Sequence, residues 1–174
     1  MSKKTSSFWL SERITLSTND ATTASIDLGA YVDVADRQAI AIEEVDFIIQ
    51  GKDASSPLTA EFSSDATIFM QLTDLNRGSS IVFADDRALV ASGVLALDDS
   101  ANIFSKETDT FPDVMGPSAV RLVVNDQLYC TALASGTLIS ERQVNVTVRI
   151  KAHVKTLSAK DWMAIAIQST AADN

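Results

Sequence analysis

The sequence predicts an all-β fold, a sandwich or barrel of about eight to ten strands. Apolar residues recur at every second position through most of the chain, which is the period of a half-buried strand. Aromatic residues make up only 6% while hydrophobic residues reach 46%, so the core is built from Val, Ile, Leu and Ala, side chains that suit a pleated sheet. No long 3.6-residue periodicity appears, nor self-similarity at the roughly 20 to 50 residues of a propeller or solenoid. A length of 174 residues is enough to bury a core without staples, and the expected organisation is a short amino-terminal arm, 1–7, followed by one β-sandwich domain, 8–174.

Even positions are apolar from Phe8 through Leu10, Ile14 and Leu16, with only Glu12 interrupting, and the parity resumes at Ile26, Leu28, Ala30, Val32 and Val34. Thr18-Asn19-Asp20 between them reads as a turn, so the two runs are expected to form a strand pair or one long strand crossing a bend. Ile40 and Ile42 open the next run, but Val45, Phe47 and Ile49 continue it on the other parity. A slip of one residue at Glu43-Glu44 predicts a β-bulge. Leu58, Ala60 and Phe62 alternate, as do Ala66, Ile68, Met70 and Leu72, and Leu75-Asn76-Arg77-Gly78 closes that stretch as a turn. The run Ala88 to Leu97 contains Gly93, which disfavours a helix and leaves a strand as the preferred expectation. From Asp98 to Ser118 the alternation dissolves into polar residues, Pro112, Gly116 and Pro117, with scattered large apolar ones, predicting a long packed loop. Val120, Leu122 and Val124, then Leu128, Cys130 and Ala132, flank Asn125-Asp126 and read as two strands about a tight turn or one kinked strand. Val144 to Val154 alternates without a break, and Trp162 to Ile167, apolar on both faces, reads as a final buried strand.

Composition excludes several functions. Fourteen basic against 23 acidic residues give a net charge of -9, the wrong sign for a domain that neutralises phosphates, so direct nucleic-acid binding is not expected. One cysteine and one histidine, 23 residues apart, exclude an intrachain disulfide and a zinc centre. Cys130 lies in an alternating apolar run and reads as a small buried hydrophobe. Pairs such as Asp85-Asp86 and Asp98-Asp99 match no calcium-loop spacing, and the glycines are too isolated to cradle a phosphate or dinucleotide. His153 is the only base of the triad kind and no Gly-x-Ser-x-Gly elbow is present. Neither catalytic residues, a cofactor nor a metal is therefore expected. Asn145-Val146-Thr147 matches a glycosylation sequon, but mid-strand burial of Val146 makes it a coincidence of pattern. No apolar segment reaches the roughly 18 residues of a membrane span or follows the start as a signal peptide, so synthesis in the cytoplasm is expected.

Two groups of residues carry binding potential. Arg149, Lys151, His153 and Lys155, spaced by two, share one face of one strand. They form a concentrated positive stripe in an acidic chain, suited to a subunit interface or an anion contact. The plainer alternative is a solvated face, or an edge strand blunted by lysine. Phe8, Trp9 and Leu10 are apolar close to the terminus, and could dock on a neighbour or cover the chain's own core.

The size, the strand series from Phe8 to Gln168, the long runs Val144–Val154 and Trp162–Ile167, and the loop Asp98–Ser118 resemble the single jelly-roll capsid proteins of icosahedral viruses. The resemblance implies a single jelly-roll β-sandwich that self-assembles in a virion, with copies of itself as partners and with other coat proteins or an inner membrane layer beside it. Many such proteins carry a long basic arm, and here only Lys3 and Lys4 stand in that place. In this the chain looks more like the upright single jelly rolls of membrane-containing viruses of archaea and bacteria. The rival expectation is a non-enzymatic carbohydrate- or receptor-binding β-sandwich such as a fibre or tail module, which an exposed aromatic cluster in a loop would favour. A cupin-type enzyme would need several metal-binding histidines.

Overall fold

The computed structural model describes residues 2–3, 5–111, 120–138 and 142–170. Among them ten strands form two antiparallel sheets. The first contains β1 (Ser2–Lys3), β2 (Phe8–Leu16), β10 (Val144–Thr156), β4 (Gln38–Gln50) and β8 (Arg121–Val123). In it β10 lies between β4 on one side and β1 and β2 on the other, and β8 flanks β4. The second runs β3 (Thr22–Asp27), β9 (Gln127–Ser135), β5 (Ala66–Thr73), β6 (Leu89–Asp98) and β7 (Ile103–Phe111). Without the short β1 and the appended edge strand β7, the sheets are β2-β10-β4-β8 and β3-β9-β5-β6, the strand order of the two four-stranded sheets of a jelly roll. Neither sheet closes on itself.

The unbroken alternation of β10 works as the sequence predicts: Val144, Val146, Val148, Ile150, Ala152 and Val154 all point into the sandwich and are buried. They face Met70, Leu72, Leu128 and Cys130 of the opposing sheet within one continuous core. Each large aliphatic side chain so buried contributes roughly 1.5–3 kcal/mol. Cys130 is part of that core, and burial, with the nearby Glu12 carboxylate adding to it, pushes its thiol up to about 12. In native protein at pH 8 Cys130 should therefore resist a water-soluble disulfide reagent and react fully only after denaturation. Stoichiometric labelling of the folded protein within minutes would contradict this burial.

Several predicted elements take another form. β2 and β3 are neither a pair nor one strand, since they belong to different sheets. The same is true of β8 and β9, whose connecting turn at Asn125-Asp126 crosses the sandwich. Val32 and Val34 lie outside any strand: carboxylates of Asp27 and Asp33 accept hydrogen bonds from the amides of Gly29 and Ala35, and these local turns end β3 and leave Val34 exposed. Leu58–Glu61 is a short 3-10 helix after Pro57, not a strand. It turns the Glu61 carboxylate inward, where Oε1 accepts the Lys52 amide at 3.0 Å. Room for it exists because Gly51 has no Cβ; one there would stand 2.5 Å from that oxygen.

The predicted loop from Asp98 contains β7 as far as Phe111, and its remainder, 112–118, lies outside the described residues. The final apolar run is an α-helix, α1 (Ala159–Thr170), instead of a strand. Ser158 caps it: its Oγ accepts the Asp161 amide at 3.2 Å and donates to the Asp161 carboxylate at 2.8 Å. Trp162, Ile165 and Ala166 then share the face that packs on Ala39, Leu122, Val124 and Leu157, while Met163 and Ile167 stay exposed. No helix among the described residues is long and apolar enough to cross a membrane.

Candidate functional site

The side of the β2-β10-β4 sheet turned away from the core gathers the residues singled out for binding. Strand register aligns them in rows: Trp9, Lys151 and Glu44; Ser11, Arg149 and Asp46; Arg13, Thr147 and Ile48. β10 is an interior strand, so its basic residues do not serve to blunt an edge. Arg149 is exposed and its guanidinium lies over the Trp9 ring, 4.6 Å from the centroid, a cation–π contact worth about 0.5–1 kcal/mol at an exposed site. Of the three apolar residues near the terminus, only Trp9 faces outward. Phe8 stacks on Tyr31 with ring centroids 4.7 Å apart, and both Phe8 and Leu10 pack against the core.

The predicted bulge is present, and it places a carboxylate on this face. Lys151 pairs with Glu44 and Ala152 with Ile42, which leaves Glu43 as the extra residue. Its carboxylate accepts Ser7 Oγ at 2.9 Å, lies 2.6 Å from His153 Nδ1 and stands 4.0 Å from Lys151 Nζ. The stripe is thereby divided. Arg149 and Lys151 remain accessible, whereas His153 is buried and Lys155 is half-buried where β1 pairs beside it. The start of the chain is tied down over this point, with Thr5 Oγ1 accepting the Val154 amide at 3.0 Å. Replacing His153 with Ala should loosen that strap: amide exchange at residues 5–8 and at Val154 should rise about tenfold, with β5 and β6 unaffected. Equal exchange in both proteins would show that the Glu43 cluster does not hold the strap.

The acidic partners of the stripe were not singled out from sequence. Glu44, exposed, and Asp46, half-exposed with Lys106 Nζ of β7 3.8 Å from its carboxylate, form an acidic column on β4 immediately beside the basic one. Only the parity slip hinted at it, by marking where β4 changes face. On the other sheet a shallow groove is lined by Asp65, Thr67, Asp98, Ser105 and Ser135, among others. Its carboxylates already serve turns: Asp65 accepts the Asp99 amide, and Asp98 accepts Ser100 Oγ and the Ala101 amide, bonds that hold Asp98 below its ordinary value. Among the described residues no group of three or more His, Cys, Asp or Glu side chains could hold a metal ion. Among the described residues the exposed aromatic rings Trp9, Phe83 and Phe104 lie on β2, on the β5–β6 connection and on β7. The sequon asparagine is occupied within the fold, its amide donating to the Gly51 carbonyl and its oxygen accepting Thr15 Oγ1.

No protein-family model matches the chain, and neither does any curated protein. Solved structures with some likeness include Desmodium yellow mottle tymovirus (10% identity, 88% of this chain and 91% of that one, TM-score 0.31). Another is the VP1 protein of Trichodysplasia spinulosa-associated polyomavirus, solved in complex with sialylated glycooligomers (12% identity, 83% and 95%, TM-score 0.33). A third is turnip yellow mosaic virus (10% identity, 90% and 99%, TM-score 0.27). At such TM-scores the superpositions carry no weight of their own, and the jelly-roll assignment rests on the strand order of this chain.

Proposed function

We propose that this chain is a structural virion protein, a self-assembling single jelly-roll capsid subunit with no catalytic role. The observation that carries this reading is the strand order, β2-β10-β4-β8 facing β3-β9-β5-β6. A jelly roll supplies a rigid block whose faces and loops are free to meet neighbours, and symmetric closure of those contacts sets a shell. Large apolar side chains left exposed at three places, Phe83 on the β5–β6 connection, Ile103 and Phe104 on β7, and Met163 and Ile167 on α1, are consistent with surfaces that other subunits cover. In this role the chain works in the virion after synthesis in the host cytoplasm. Its partners are copies of itself, together with other coat proteins or an inner membrane layer.

Size-exclusion chromatography with light scattering, followed by negative-stain imaging, tests the proposal. Rings, shells or sheets that form as concentration rises are the expected result. A stable monomer at every salt and protein concentration would overturn it.

A further inference from the structure

We infer that the outer face of the β2-β10-β4 sheet is a contact between two copies of this chain, in which the basic column of each lies on the acidic column of the other. The inference rests on the self-assembly reading and specifies where one contact is made. Arg149 and Lys151 on β10, with Arg13 beside them on β2, form the basic column, and Glu44 and Asp46 on β4 the acidic one. Adjacent strands are about 4.8 Å apart, so the two columns run side by side on a single surface. A twofold axis parallel to the strands, passing between the columns, turns one face onto the other and exchanges left for right. Basic then meets acidic twice, as an isologous interface requires.

Charge complementarity selects the occupant. Two chains of net charge -9 repel each other overall, and a matched pair of opposite columns is a surface on which a second copy is still favoured. An anionic polymer laid on the same face would meet Glu44 and Asp46. The face also holds an anchor of the kind found at interface centres. Trp9 is 47% exposed and braced by Arg149, and Trp and Arg are enriched among the residues that dominate association energy.

The test compares wild type, R149E/K151E, E44K/D46K and an equal mixture of the two variants by light scattering over a range of concentrations, with circular dichroism confirming folding. Each variant alone should associate at least tenfold more weakly than wild type, and the mixture should recover association because positions 44, 46, 149 and 151 are then all acidic on one partner and all basic on the other. Variants that associate like wild type would place the contact elsewhere and overturn the inference while leaving self-assembly intact. Loss without recovery in the mixture would also overturn it, since the columns then do not meet. A wild type that is monomeric throughout would remove both the inference and the reading beneath it. Should a charge variant fail to fold, Trp9→Ala and Arg149→Ala carry the test: about tenfold weaker association is expected, and an unchanged constant would overturn the contact.

Discussion

Deleting Asp46 should unfold the protein, whereas deleting Glu43, three residues earlier, should leave it folded. The difference follows from the β4–β10 register. Lys151 pairs with Glu44 and Ala152 with Ile42, so removing Glu43 closes the bulge and joins two ladders already in phase. Ile40, Ile42, Val45, Phe47 and Ile49 then alternate without interruption and every side chain keeps its face. Removal of Asp46 offers the chain two poor choices. If the bulge stays, Phe47 and Ile49 turn from the core to the outer face, although Phe47 is now only 5% exposed. Losing a buried phenylalanine alone costs about 3–5 kcal/mol. If the bulge closes instead, Glu44 enters the core opposite Ile150 and Val45 leaves it, and burying an unpaired carboxylate costs several kcal/mol. Either loss is a large part of the roughly 5–15 kcal/mol that holds a domain together. Soluble yield and urea denaturation followed by circular dichroism should show the Glu43 deletion within about 2 kcal/mol of wild type and the Asp46 deletion without a cooperative transition. Similar transitions for both would mean that β4 is not held in register by its facing pattern.

That contrast also marks where the sequence was legible. Facing is a local property, encoded by which of two neighbouring residues is apolar, so the inner face of β10, the bulge at Glu43-Glu44 and the burial of Cys130 could all be read directly. Sheet partners are not local. Nothing at Thr18-Asn19-Asp20 or Asn125-Asp126 distinguishes a hairpin turn from a crossing between sheets, and both connections cross. β7 was hidden because it is an edge strand: Ser105, Lys106 and Glu107 sit where an interior strand would carry alternating aliphatics. Helix α1 was obscured by an apolar run with no polar face to set its period, although the Ser158 and Asp161 pair marked its start. The basic stripe was readable as a face, but its division was not. His153 is buried by Glu43 and by a strap from the other end of the chain, both distant in sequence. The acidic column became visible only through the register that sets Glu44 beside Lys151 and Asp46 beside Arg149.

Replacing Arg121 with Ala should destabilise the protein by about 3–5 kcal/mol at pH 8, and by clearly less at pH 5. Arg121 projects from β8 to the β5–β6 connection, where its guanidinium donates to Asp74 Oδ2 at 3.0 Å and to the Arg87 carbonyl at 2.6 Å. The Asp74 side chain is only 5% exposed against 36% for Arg121, so the two partners are not equivalent. Without Asp74 the arginine can turn to water. Without Arg121 the carboxylate stays behind, in a site where burial already raises its pKa above the ordinary 3.8 despite the guanidinium beside it. Loss of that cation raises it further. A carboxyl whose folded pKa exceeds its unfolded one takes up a proton on folding, so its penalty is complete above the folded value and recedes as pH falls towards 3.8. The deficit of the Arg121→Ala protein relative to wild type therefore narrows on acidification. Asp74→Asn removes the charge and keeps the shape, so the Arg121→Ala/Asp74→Asn double variant should recover most of the loss at pH 8, with a coupling of roughly 1–3 kcal/mol between the two sites. Urea denaturation of the four proteins at both pH values gives the cycle. A deficit that grows on acidification, or single-variant losses that simply add, would show that Asp74 is not held in place as a buried charge by Arg121.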